Sequence, residues 1–138
     1  MPQMRQLVDT NILVRFFTGD PPGMAAKSRR LVDQADRGKA TLVVFPVIVA
    51  EAYYTLESFY EINRKTIADN LIRFLQCRGI ESVEGDRILA ALKLCRDRNA
   101  HFADAYLAAA AIDMKTPVAS FDRDFDKFAD VHRIEPNA

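Results

Sequence analysis

The segment Leu7-Val8-Asp9-Thr10-Asn11-Ile12-Leu13 constrains the fold most. An apolar run ends on an acid, two polar residues follow, and apolar residues resume. That is a strand turning directly into a helix, with the carboxylate at the strand's C-terminal end. In open α/β sheets, ligands bind in the crevice outside that end. Asp9 has two readings, a helix cap or a ligand-binding acid. Thr10 or Asn11 can cap the helix that follows.

The rest of the chain repeats this alternation. Residues 5–8 are predicted to form a strand, and Asn11 to Phe17 a helix stopped by Thr18-Gly19-Asp20-Pro21-Pro22. Met24 to Arg37 carries Ala25, Ser28, Leu31, Val32 and Ala35 at helical spacing and ends at Gly38. Its polar side holds Lys27, Arg29, Arg30 and Arg37, either a solvated face or one that contacts RNA. Thr41 to Phe45 is a buried strand, and Pro46 opens a helix running to Phe59. A helix over 63–76, a strand Ile80–Val83, a helix Asp86–Arg98 and a turn Asn99–His101 follow. Phe102 to Met114 is an alanine-rich helix, thin enough to pack close to a sheet. Thr116–Ser120 is a strand, Arg123–Phe128 a helical turn or two, and 131–134 a last strand. This order requires a parallel sheet with helices on both faces. A chain of 138 residues, nearly half of them apolar, suits one domain with a real core.

Net charge is zero, which gives no global argument for nucleic acid. The charge is uneven: residues 1–50 hold seven Lys/Arg against four Asp/Glu, and residues 101–138 hold four against seven. A substrate surface beside a metal site explains this, and so does ordinary surface patterning. No apolar stretch reaches the roughly 18 residues of a membrane span. Met1 to Gln6 holds no secretory apolar region, so a soluble, cytoplasmic protein is expected. Cys77 and Cys95 lack zinc-ligand spacing and read as reduced, semi-buried thiols.

Three more acids arrive in apolar settings. Glu51 shares its helix side with Val47, Ile48, Tyr54 and Thr55. A glutamate on a buried face needs a partner, a proton or a metal. The alternative is a salt bridge to an arginine. Glu57 is expected to be more exposed. Asp104 lies in the first turn of its helix, where the dipole favours negative charge, with Leu107, Ala108 and Ala111 on its face. Asp122 closes Ser120-Phe121-Asp122 and repeats the Asp9 arrangement. Asp124 and Asp126 read as helix-start charges, or one of them as an auxiliary metal acid. His101 has two readings, a ligand or general base and polar filler in a turn, and filler is the commoner role of a turn histidine. Tyr53, Tyr54, Phe59 and Tyr60 are either aromatic core or a partner-binding patch.

By topology, Asp9, Glu51, Asp104 and Asp122 should converge on one sheet edge. Two unit charges about 4 Å apart repel by roughly 4 kcal/mol at an effective dielectric near 20. Such a cluster is protonated in part or held by divalent cations. An all-oxygen donor set suits Mg²⁺ or Mn²⁺. Those ions activate water and neutralise a developing phosphorane, the chemistry of phosphodiester hydrolysis. No Ser-His-Asp order, Walker loop or GxGxxG motif competes.

Val8-Asp9-Thr10-Asn11, Val49-Ala50-Glu51, Phe102-Ala103-Asp104-Ala105 and Ser120-Phe121-Asp122 together resemble a PIN-domain ribonuclease. The resemblance spans nearly the whole chain, as one domain over 1–138. The size resembles that of the VapC toxins of type II toxin–antitoxin pairs. The resemblance implies an α/β, PIN-like fold with a central parallel sheet of about five strands, order 3-2-1-4-5, flanked by helices. It implies Mg²⁺- or Mn²⁺-dependent endoribonuclease activity, a homodimer, and inhibition by a cognate antitoxin at the acidic site. Asp9, Glu51, Asp104 and Asp122 map onto the family's catalytic, metal-binding quartet, with Thr10 and Ser120 as its hydroxyl neighbours. Asn11 is the amide that orients the first turn, and Asp124 could share the role of Asp122. By the family mechanism Asp9, Asp104 and Asp122 hold metal directly, and Glu51 binds a second ion or positions the attacking water. Arg15, Lys27, Arg29, Arg30, Arg64 and Lys65 are candidate phosphate contacts, which position RNA without reading bases. A haloacid-dehalogenase phosphatase would need a second Asp at position 11, which is Asn. A receiver domain would need acids before the end of the first strand. A PIN scaffold that only binds RNA or a partner stays open, as does an RNA-processing nuclease outside a toxin–antitoxin pair.

Overall fold

The computed structural model describes residues 4–137. Met1–Gln3, read above as the lead-in to the first strand, and Ala138 lie outside the described residues. The elements in order are β1 (Met4–Leu7), α1 (Thr10–Thr18), α2 (Pro22–Asp36), β2 (Ala40–Val44), α3 (Pro46–Ser58) and α4 (Arg64–Leu75). They continue with β3 (Ile80–Ser82), α5 (Gly85–Arg98), α6 (Phe102–Met114), β4 (Val118–Ala119), a 3-10 helix (Arg123–Lys127) and β5 (Arg133–Ile134). The expected alternation forms because its punctuation is strong. Gly19 takes a left-handed φ of 72° after α1, a conformation costly to any residue with a Cβ. Pro22 and Pro46 open α2 and α3, where their missing N–H has no helical partner to lose. The Asn63 side chain caps α4 by accepting from the Thr66 N–H at 2.8 Å.

The sheet departs from expectation. β1 pairs in parallel with β2, Met4 opposite Ala40 through Leu7 opposite Val43. β2 pairs in parallel with β3, Leu42 opposite Ile80 through Val44 opposite Ser82. β4 and β5 form a separate parallel pair, Val118 opposite Arg133. The five-stranded sheet of order 3-2-1-4-5 therefore does not form: among the described residues there is one sheet of order β1-β2-β3 and a second of β4-β5. The ladder available to β4 is short. It has two residues, and Pro117 just before it has no N–H to donate. Arg133 ties β5 to its surroundings, donating to Asp126 Oδ1 at 3.0 Å and to the Ser120 carbonyl at 3.1 Å.

β2 is the buried centre. Leu42 and Val44 are fully enclosed, as a middle parallel strand covered on both faces should be. Leu13, Val49, Leu56, Ile67, Leu71, Ile88 and Leu92 pack around it from four helices. Tyr53, one of the four aromatics with two readings, is core, whereas Tyr54 and Phe59 are exposed. The Tyr53 hydroxyl donates to the Ala100 carbonyl at 3.0 Å, and burial pushes its phenol well above the ordinary range. Tyr53→Phe leaves that carbonyl without this donor, and the expected cost is about 1–2 kcal/mol. A urea titration should show a lower midpoint with an unchanged slope. Cys77 and Cys95 are both free. Burial pushes the Cys95 thiol up to about 12, which leaves it inert. Among the described residues no helix is long and apolar enough to cross a membrane.

Candidate functional site

Two of the four acids are helix caps of the same design. Asp9, exposed beyond β1, accepts from the Asn11 N–H at 2.7 Å. Asp122, exposed beyond β4, accepts from the Asp124 N–H at 2.9 Å. The cap of α1 is thus Asp9 itself, and Thr10 and Asn11 lie inside the helix rather than capping it. Thr10 is buried. Ser120 steadies the second turn, its hydroxyl accepting from the Asp122 N–H at 2.9 Å. In each case one carboxylate oxygen holds the backbone and the other is left for something else.

Asp104 sits half-buried in the first turn of α6. Burial pushes its carboxyl above the ordinary value, and the charge of Asp122 pushes it further. His101 pulls it back, Asp124 adds to the rise, and Lys127 opposes it. Asp104, Asp122 and Asp124 therefore share one electrostatic neighbourhood, with Lys127 and His101 at its margin. Asp9 and Glu51 are not among the strongest charges acting on Asp104. Their helices are neighbours all the same: α3 packs against both α1 and α6. A cavity of about 320 Å³ opens between α3 and α6, lined by Ala50 and Tyr54 on one side and Asp104 on the other.

Glu51 is exposed, not on a buried face. Its neighbours Val47 and Tyr54 are apolar but 68% and 66% exposed, so apolar spacing here marks a surface stripe. The half-buried, partnered glutamate of α3 is Glu57, which the sequence places at a more exposed position. The Arg64 guanidinium donates to Glu57 Oε2 from its Nε and to the Asn99 carbonyl at 2.6 Å. His101 meets Glu57 Oε1 through Nδ1 at 2.8 Å and Arg64 through Nε2 at 2.8 Å. His101 is not filler, and Arg64 is no free phosphate contact. Lys127 reaches the same Asn99 carbonyl at 3.2 Å. This knot ties α3, α4, α5, α6 and the 3-10 helix together beside Asp104. Spacing rules cannot reveal it, because its members lie on different elements. Arg64→Ala strips Glu57 of a charged donor, and we expect a loss of about 2 kcal/mol, read as a fall in denaturation midpoint.

The sequence profile described as PIN domain matches residues 7–131. The chain belongs to the PIN-domain family. No curated protein matches it. PIN domains are nuclease-type folds, hydrolases that act on RNA or DNA and generally use divalent metal ions. The donor chemistry of this PIN domain fits such an ion. Its clustered acids offer oxygen only, the set preferred by hard cations, and a cation would relieve the repulsion that raises Asp104. The convergence of four acids expected from the sequence is not closed. Among the described residues no group of three or more His, Cys, Asp or Glu side chains is placed to hold a metal ion. One reason lies in the caps, since Asp9 and Asp122 are each drawn toward the backbone two residues on.

Proposed function

We propose that this PIN domain, spanning 1–138, is an Mg²⁺- or Mn²⁺-dependent endoribonuclease and the toxin of a VapC-type toxin–antitoxin pair. The observation that carries the nuclease reading is the Asp104 carboxyl, pushed up by burial and by the adjacent charge of Asp122. A carboxyl raised by burial and by neighbouring acids marks a candidate functional group, and a bound cation would relieve the repulsion. Asp104 and Asp122 would hold the ion, with Asp9 beside them and Asp124 able to share the work of Asp122. A divalent ion bound there supplies charge neutralisation and a water of lowered pKa. Glu51, exposed on α3, is free to orient the attacking water or meet a second ion. Ser120 supports the Asp122 cap, Asn11 provides the N–H that aims Asp9, and Thr10 lies buried beside it in the chain. Cleavage in this scheme leaves a 5′ phosphate and a 3′ hydroxyl. Lys27, Arg29, Arg30 and Lys65 stay exposed and can receive the RNA backbone.

The toxin reading is supported by the surface. Val47, Tyr54, Phe59 and Leu107 are exposed apolar residues suited to a homodimer partner or an antitoxin. The protein would act in the cytoplasm, where its RNA substrates are. The test is cleavage of a mixed RNA pool by partner-free protein with Mg²⁺, with Mn²⁺ and with EDTA, alongside single-stranded DNA. Metal-dependent cuts in RNA, lost in Asp9→Asn, support the reading. No cutting, together with no Mn²⁺ bound in titration, transfers the protein to the RNA- or partner-binding scaffold class. A small antitoxin-like reading frame just upstream would favour the toxin over a free-standing RNA-processing nuclease.

A further inference from the structure

The cavity between α3 and α6 has a composition that phosphodiester cleavage does not require. Its lining is largely apolar and aromatic: Tyr53 is buried, and its ring lies 6.0 Å from that of Phe102, tilted by 38°. One wall is Tyr54, an aromatic ring left 66% exposed at the cavity mouth. The rim is polar and fixed where Glu57 and His101 line it, in their mutual contact of 2.8 Å, with Arg64 holding both. Asp104 also lines the cavity. At about 320 Å³ the space suits a small flat ligand rather than a folded partner.

We propose that this cavity is a nucleobase subsite, taking the base next to the phosphate that lies at the acids. The inference rests on the nuclease reading above and adds a preference to it. Unstacked bases are held by stacking on aromatic side chains and by hydrogen bonds to their edges. Tyr54 offers the stacking face, which is indifferent to base identity. The rim supplies the discrimination. Glu57 has one oxygen on His101 and one on Arg64, and each carboxylate oxygen has about two acceptor positions. Glu57 lines the cavity, and what it can offer there is acceptors only. They match a base that presents an exocyclic amine, as adenine, cytosine and guanine do, and suit uracil less, which has no exocyclic amine and whose one edge donor, N3–H, lies between two carbonyls that a carboxylate repels. Because Arg64 also fixes His101 and the Asn99 carbonyl, the rim is rigid before the ligand arrives.

The experiment is fluorescence anisotropy of labelled single-stranded hexamers A6, C6 and U6 with the full chain. It uses an Asp122→Asn background with Mg²⁺, so that strands are bound and not cut. A6 and C6 should bind at least fivefold more tightly than U6. Adding Tyr54→Ala should weaken all three by about tenfold, the scale of one lost base stack. Adding Glu57→Gln should bring U6 to within twofold of A6 and C6, with Tyr54 still contributing. Circular dichroism shows that each variant is folded. Because Tyr54 is exposed, its removal does not threaten the fold. Equal binding of the three hexamers, or a Tyr54→Ala effect under twofold, overturns the subsite. So does an absence of measurable binding. The nuclease reading is judged separately by metal-dependent cleavage in the wild type. It survives if cutting persists without base preference, and it falls if binding follows the predicted pattern but nothing is ever cut.

Discussion

Asp104→Asn is expected to abolish metal-dependent cleavage while making the protein more stable. Changing residues that merely orient metal ligands costs about 10–100-fold, so removing a ligand itself should cost at least about 100-fold. The stability change has the opposite sign, and it follows from the direction of the Asp104 shift. Its folded pKa lies above the ordinary value, raised first by burial and then by Asp122. Between the two values the folded state holds its proton more tightly than the unfolded state does. Stability therefore falls as pH rises through that window and stays lowered at neutral pH. Below the ordinary carboxylate value the penalty disappears. Asparagine carries no such penalty at any pH. The variant should melt roughly 1–3 °C higher at pH 7, the scale of a fraction of a kcal/mol in a domain of this size. Partial exposure and screening keep the number small. The gap should close on acidification below about pH 4, the ordinary value for Asp. Mg²⁺ should raise the melting temperature of the wild type more than that of the variant. Thermal melts at two pH values with and without Mg²⁺ decide the matter. A variant that is less stable at pH 7 and still cleaves would remove Asp104 from the site. The trade is a common one, in which a destabilising arrangement is kept because function uses it.

What was legible in the sequence was whatever local chemistry decides. Pro46 after a β-branched run marks the β2–α3 junction, and the same logic places Asp9 and Asp122 at strand ends. Each of those features acts within a few residues. The errors are nonlocal. Glu51 has apolar neighbours at helical spacing, but periodicity cannot tell a core stripe from a surface stripe, and here Val47 and Tyr54 face water. Glu57 reads as the more exposed acid of its helix, yet it is the less exposed one, half-buried because Arg64 and His101 reach it from α4 and the start of α6. The strand pattern gave five strands without saying whether β1 and β4 would pair. That depends on the length of β4, which is two residues. Even the competing readings of Asp9 prove compatible: it caps α1 with one oxygen and keeps another.

Gly79→Ala is expected to be the most damaging of the single substitutions considered, although it adds only one methyl group. Gly79 is buried between α4 and β3, and its carbonyl accepts from the Leu42 N–H at 2.8 Å. A Cβ there would stand 2.3 Å from the Ala35 carbonyl oxygen and 2.6 Å from that of Ala40. Both obstacles are backbone, one at the end of α2 and one at the start of β2, so neither can rotate aside. Relief requires β3 to move away from β2 or α2 to move off the sheet, and each movement breaks into the region around Leu42. Overpacking of this kind costs about 3 kcal/mol and at times more. A loss of that size lowers the melting temperature by about 10 °C or leaves little soluble protein. Gly23→Ala is the internal control. It lies in the first turn of α2, and a Cβ there meets nothing within 4 Å. It should leave stability unchanged or raise it by up to about 0.5 kcal/mol. If the two variants melt together, the close approach at Gly79 is relieved by small shifts, and the packing of α2 on β2 and β3 is softer than these distances imply. If they diverge as expected, Gly79 is present for the space it leaves and not for a turn. Its place just before a strand would not have revealed that, because the two carbonyls it accommodates lie about 40 residues earlier in the chain.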